Sequence, residues 1–196
     1  YREKLALDVP GLRLCGPEGG EARIVFGDSA HLLDDSGQAL GTFRTPALRV
    51  SADDITLENL TVENDAGPGA QVEQAVALHI AGDRCVVKNC KLLAHQDTLL
   101  IGPETGNIAQ PPPCGRRAYL ENCLIQGNTD FIFGSYAAWF ERCTLRCVSQ
   151  GMEINAMIAA PNTPEGQPFG FVFNRCAIDG NCEPATAYLG RPWRPH

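Results

Sequence analysis

Five short segments of the chain repeat one pattern: LENLTV (57–62), VKNCKL (87–92), LENCLI (120–125), FERCTL (140–145) and FNRCAI (173–178). In every copy the first residue is apolar, the next two are polar or charged, the fourth is Leu or Cys, and the sixth is apolar. The anchors Leu60, Cys90, Cys123, Cys143 and Cys176 are separated by 30, 33, 20 and 33 residues. Recurrence of one unit at such spacing marks a solenoid, in which each unit buries its apolar face only by stacking on its neighbours. Positions four and six would both point inward from a pleated strand. The two polar residues ahead of them interrupt the alternation, as a corner between strands does. Asn59, Asn89 and Asn122 suit that corner, because Asn tolerates left-handed backbone angles; Arg142 and Arg175 hold the same place in the last two copies. Val76, Leu78 and Ile80 alternate with Ala75, Ala77 and His79 and read as a further strand. No amphipathic helical window of useful length accompanies these strands. The fold class expected is all-β, a right-handed single-stranded parallel β-helix formed by residues 1–196 as one domain truncated at both ends.

The 20 glycines and 14 prolines favour many short elements over long helices. A net charge of −7, with no basic run and no aromatic residue interleaved with Lys or Arg, argues against a nucleic-acid partner. No apolar run approaches the length of a membrane-spanning helix. The nine cysteines form no CxxC pair, and the gaps between His79, Cys85, Cys90 and His95 match none of the common zinc-finger spacings, so no metal site is expected. Cys90, Cys123, Cys143 and Cys176 are instead expected to stack along the interior as small apolar thiols. The redox state of Cys15, Cys85, Cys114, Cys147 and Cys182 is left open.

Measured from the anchors, Asp97 lies seven residues beyond Cys90 and Asp130 seven beyond Cys123. Equal offsets on stacked coils place two carboxyl groups one above the other, about 4.8 Å apart along the stack. Like charges at that distance cannot both ionise cheaply, so their proton affinities separate, as an acid and a nucleophile require. Asp is also common at turns, yet Gln96-Asp97-Thr98-Leu99-Leu100 and Asp130-Phe131-Ile132-Phe133-Gly134 read as strand-like apolar segments, in which a solvated turn carboxylate is out of place. Near the end, Leu189-Gly190-Arg191-Pro192-Trp193 offers a guanidinium able to hold a carboxylate bidentately and a flat aromatic face suited to a sugar ring.

Together with Gln74-Ala75-Val76-Ala77-Leu78, these segments resemble, in order, the motifs of the pectinesterase (pectin methylesterase) family of carbohydrate esterases. Tyr1-Arg2-Glu3-Lys4 and Thr42-Phe43-Arg44 resemble weaker family segments. The similarity runs along the whole chain, with the family's first and closing coils absent. The resemblance implies a catalytic set of Asp130 as nucleophile, Asp97 as proton donor, Gln96 as oxyanion stabiliser and Arg191 as the residue that positions the nucleophile. It implies substrate contacts from Gln74, Trp193 and Thr42, no cofactor, a secreted monomer, and methyl-esterified homogalacturonan (pectin) as the substrate partner. Two departures stand out: Asn128-Thr129 precede Asp130 where the family more often has Thr-Val, and His79 stands where Arg is frequent. Residues 102–117 form a long loop expected to border the cleft, and Arg191 and Arg194 are expected to supply a positive field there. Three other readings are a β-helical esterase or thioesterase acting on a different acyl group, a non-catalytic carbohydrate-binding module, and a lyase or glycosidase. The Gln beside the acid suits acyl chemistry better than glycoside hydrolysis.

Overall fold

The computed structural model describes residues 1–17, 21–104 and 114–193. Its strands, numbered in chain order, fall into three sheets in which every pairing is parallel and every neighbour comes from an adjacent coil. The first sheet contains β1 (Leu5–Leu7), β4 (Leu48–Val50), β7 (Leu78–Ile80), β10 (Leu99–Ile101), β13 (Ile132–Gly134), β16 (Ala156–Pro161) and β19 (Ala187–Gly190). The second contains β2 (Arg13–Cys15), β5 (Thr56–Glu58), β8 (Cys85–Lys88), β11 (Arg117–Glu121), β14 (Ala137–Glu141) and β17 (Phe171–Asn174). The third contains β3 (Ala22–Phe26), β6 (Leu60–Asn64), β9 (Lys91–Leu93), β12 (Leu124–Gly127), β15 (Thr144–Cys147) and β18 (Ala177–Gly180). The chain therefore winds as a β-helix with three strands per coil. Among the described residues, helix is confined to a 3-10 turn, Thr42–Arg44, and the four-residue α1, Gly69–Val72. None is long and apolar enough to cross a membrane.

The repeated pattern maps onto the corner between the second and third sheets. Asn59, Asn89, Asn122, Arg142 and Arg175 have φ between 52° and 57°. A left-handed residue other than glycine costs roughly 1–2 kcal/mol, least for Asn. Stacking offsets that cost, because the first four corner N–H groups each reach a carbonyl on the next coil: Asn59 to Lys88 at 3.1 Å, and Asn89 to Glu121, Asn122 to Glu141 and Arg142 to Asn174 at 3.0 Å. Beyond the corner, Cys90 and Leu92, Cys123 and Ile125, and Cys143 and Leu145 point into one continuous core. Each large apolar side chain buried there contributes about 1.5–3 kcal/mol.

Cys176 continues the ladder against the same core but is only half-buried. Among the described residues no further coil covers its far side, and Ile178, Tyr188 and Leu189 are exposed. All nine cysteines are free thiols. The alternation expected over residues 75–80 also fails at one point. Gln74 pairs with Gln96 but Leu78 pairs with Leu99, so one extra residue is accommodated between them. Val76 consequently faces outward while Ala77 and Leu78 face the core.

Candidate active site

The third sheet passes to the first through a corner whose length varies from coil to coil. Between β9 and β10, and again between β12 and β13, five residues separate equivalent positions, 94–98 and 127–131. On the coil before, 14 residues (64–77) make the same passage, α1 among them. On the coil after, 11 residues (148–158) span a corner that the coil below crosses in four. Two short corners thus form a floor between two long ones.

Asp97 and Asp130 occupy the two short corners at equivalent positions, two residues ahead of the paired Leu99 and Ile132. The Asp97 N–H donates to the Thr129 carbonyl at 3.0 Å, fixing one corner upon the other. Both aspartates have left-handed backbones, φ 65° and 49°. The strand-like reading of their surroundings is therefore corrected: each sits in a bend just before a strand, and Asp is one of the few residues that enters that conformation at modest cost. Asp97 is 8% exposed. Burial first, and then the negative charge of Asp130, hold its carboxyl well above the usual carboxylate range, against the pull of Arg191. Arg191, 61 residues beyond Asp130, closes a two-pronged contact on it: Nε donates to Oδ1 at 2.9 Å and Nη2 to Oδ2 at 2.6 Å. The fork fixes the plane of the Asp130 carboxylate.

Gln96 and Gln74 stand side by side as bridge partners on adjacent coils, both partly exposed, beside the aspartates. A Cβ placed on Gly69, the first residue of α1, would lie 2.8 Å from Gln96 Cβ, 3.1 Å from Gln96 Oε1 and 3.4 Å from Asn128 Oδ1. The α1 corner therefore packs directly on the oxygen end of the Gln96 amide. Asn128 is buried, and its Oδ1 accepts the Thr129 N–H at 2.6 Å. Trp193 and Phe43, the neighbour of Thr42, both pack over a buried apolar strip on the side of the first sheet away from the core, Trp193 meeting Phe133 edge-on at 5.5 Å.

That strip, made of Val76, Leu100, Phe133 and Ala160, is absent from the sequence reading. Period-two parity along Leu99-Leu100-Ile101 and Ile132-Phe133-Gly134 carried the signal, since the middle residue of each must face away from the core. His79, on the same outward column, is fully buried; its Nε2–H donates to the Gly102 carbonyl at 3.0 Å, and burial lowers its pKa to about 4. It is a neutral tether for the start of the loop after β10. Of the 102–117 loop, residues 105–113 lie outside the described residues, as does Arg194.

Comparison with known proteins bears on the family and the fold. The family model described as Pectinesterase matches residues 1–196. Pectinesterase 31 of Arabidopsis thaliana is 38% identical over 155 residues, 79% of this chain and 43% of its own length. Pectinesterase QRT1 of the same plant is 34% identical over 199 residues, 98% of this chain and 48% of its own length. Among solved structures, a pectin methylesterase from Yersinia enterocolitica superposes with a TM-score of 0.86 at 30% identity, covering 100% of this chain and 63% of that one. A pectin methylesterase in complex with a hexasaccharide gives a TM-score of 0.85 at 29% identity, covering 100% and 60%. The chain spans about half the length of the curated relatives it matches. With the model matched from end to end and the coils superposing throughout, the chain belongs to the pectinesterase family.

Proposed function

We propose that this chain carries the active centre of a pectin methylesterase, hydrolysing the methyl ester of galacturonate units in pectin to methanol and a free carboxylate. One observation carries the reading: an Asp130 held by a guanidinium fork stands one coil from a buried Asp97 whose environment favours its protonated form. Two carboxyl groups in adjacent, equivalent positions are thereby given opposite tasks.

Asp130 attacks the ester carbonyl, and the negative charge that develops on the carbonyl oxygen is met by side-chain amide donors of Gln96 and Gln74. Collapse of that adduct breaks the bond to the methoxy group, which leaves as methanol with the proton of Asp97. An acyl-aspartate anhydride remains. Asp97, now a carboxylate, takes a proton from water as the water's oxygen attacks the sugar carbonyl. The anhydride opens, Asp130 returns as carboxylate, Asp97 is protonated again, and the new galacturonic acid releases its proton to solvent. Arg191 keeps Asp130 aimed throughout. Trp193 and Thr42 supply the surface on which the sugar chain lies, and no step calls for a cofactor.

The test is methanol release from methyl-esterified homogalacturonan by the protein and by Asp130→Asn. A near-isosteric amide cannot act as the nucleophile, and turnover is expected to fall by at least about 10³-fold. Turnover within tenfold of the parent would remove Asp130 from its role.

A further inference from the structure

We infer that the hydroxyl of Thr129 is a third donor to the oxyanion of the esterase reaction, beside the amides of Gln96 and Gln74. The inference rests on the esterase reading above and adds a catalytic residue to it. Thr129 precedes Asp130 in the short corner 127–131, and Gln96 precedes Asp97 at the equivalent place one coil earlier. Gln74 is in turn the bridge partner of Gln96. The three residues form one column with a step of about 4.8 Å, and its last member adjoins the nucleophile. All three are partly exposed. The family more often has Val at the place of Thr129, a residue with no proton to donate.

Every other hydrogen-bonding group of Thr129 is engaged. Its N–H donates to Asn128 Oδ1 at 2.6 Å, and its carbonyl accepts the Asp97 N–H at 3.0 Å. Its Oγ1 accepts from Gln150 Nε2 at 3.3 Å. The sense of that last bond is set from the other side, because the same nitrogen meets the Ile154 and Asn155 carbonyls at 3.3 and 3.1 Å. Turning the amide over would place its oxygen against two carbonyl oxygens, so Gln150 must present N–H to Thr129. The wall that carries Gln150, the long 148–158 corner, is itself fastened. Asn155, buried, accepts from Ser149 Oγ at 3.1 Å, the Gln150 N–H at 2.9 Å and the Met152 N–H at 3.2 Å, while its Nδ2 donates to Thr186 Oγ1 at 3.0 Å.

A hydroxyl has a single proton, and one that accepts from Gln150 turns that proton away from it. Among the described residues no acceptor lies within hydrogen-bond distance of the Thr129 hydroxyl. When Asp130 adds to the ester carbonyl, negative charge gathers on the carbonyl oxygen beside Gln96, and the next donor in the column is Thr129. The neutral carbonyl accepts more weakly than the oxyanion, so the bond is made chiefly in the transition state. Gln150 has oriented the hydroxyl beforehand, so little reorganisation is needed at the moment of reaction.

The experiment measures kcat and KM for methanol release from methyl-esterified homogalacturonan. Thr129→Val is near-isosteric and removes the proton; kcat should fall about 10–100-fold, with KM within about twofold of the parent. Thr129→Ser keeps the hydroxyl and should recover most of that loss. Valine would also leave the Gln150 amide short of an acceptor, and Thr129→Val/Gln150→Leu removes that amide; the double variant should stay as slow as Thr129→Val. A Thr129→Val kcat within about threefold of the parent would overturn the inference. So would a loss that Thr129→Ser fails to recover, or one that disappears in the double variant. Absence of methanol from the parent would instead overturn the esterase reading, and the inference with it.

Discussion

Replacing Gly69 by Ala sets two physical effects against each other, and the structure decides between them. Gly69 opens α1 without a positive φ, so the backbone accepts Ala, and in a helix Ala is better than Gly by about 1 kcal/mol. The new methyl, however, would stand 2.8 Å from Gln96 Cβ. Carbon atoms pack at about 3.5–4.0 Å, so either α1 or the Gln96 corner must retreat by roughly 0.7–1.2 Å. A Cβ cannot swing aside as a side-chain terminus does, and overpacking of this kind costs about 1–3 kcal/mol. The steric term matches or exceeds the gain, and a net loss of roughly 0–2 kcal/mol lowers Tm by up to about 8 °C. Gln96 adjoins Asp97, and displacement of a catalytic corner by about 1 Å reduces kcat on the order of 10²-fold. Thermal unfolding and methanol-release kinetics of Gly69→Ala check both figures. Ala70→Gly, at the exposed neighbouring position, is the control and should cost about 1 kcal/mol with kcat unchanged. A Gly69→Ala protein with higher Tm and parental kcat would show that α1 does not bear on Gln96.

Asp97→Asn removes a carboxyl that folding forces to hold its proton more tightly than the unfolded chain does. Between the ordinary Asp value of about 4 and the raised folded value, the native state binds more protons, so Asp97 lowers stability as pH rises. The variant should be the more stable protein at neutral pH by about 1.4 kcal/mol per tenfold of elevated proton affinity, the gain vanishing below about pH 4 while turnover is lost at every pH. Chemical denaturation as a function of pH measures it. Activity of the parent should decline as pH rises through the raised value of Asp97. Arg191→Lys keeps the charge and loses the fork, costing about tenfold in kcat, whereas Arg191→Ala costs about 10²-fold by letting the nucleophile turn; both are read as kcat against KM. Asn155→Ala strands three donors of the 148–158 wall and should lower stability by roughly 2–4 kcal/mol, read as a Tm fall of about 5–15 °C.

The sequence pattern revealed the coil because a stacked corner demands the same chemistry each time it recurs. Asn59, Asn89 and Asn122 announce a left-handed backbone, and Cys90, Cys123 and Cys143 announce an inward position. The aspartate pair was legible as an offset from those anchors, and Asp130 with Arg191 is joined as the motif led one to expect. The local environment of the two acids was misread, since an apolar neighbourhood at a bend looks in sequence like a strand. Val76 does not share the face of Leu78 and Ile80 as their alternation suggests, because nothing in its own segment records the extra residue, which is defined only by the coil it stacks on. The Phe133 strip and the fastenings of Gln150 and Asn155 join residues on different coils, contacts that local patterning does not encode.

The unequal corners carry an evolutionary consequence. The acids are timed by strand pairing on both flanks, whereas most of the 64–77 and 148–158 spans loops out between strand ends and lies outside that register. Doubling such a span adds only about 0.6 kcal/mol of closure entropy. Descendants of this scaffold can therefore rebuild the gateposts repeatedly while the chemistry beneath keeps its place.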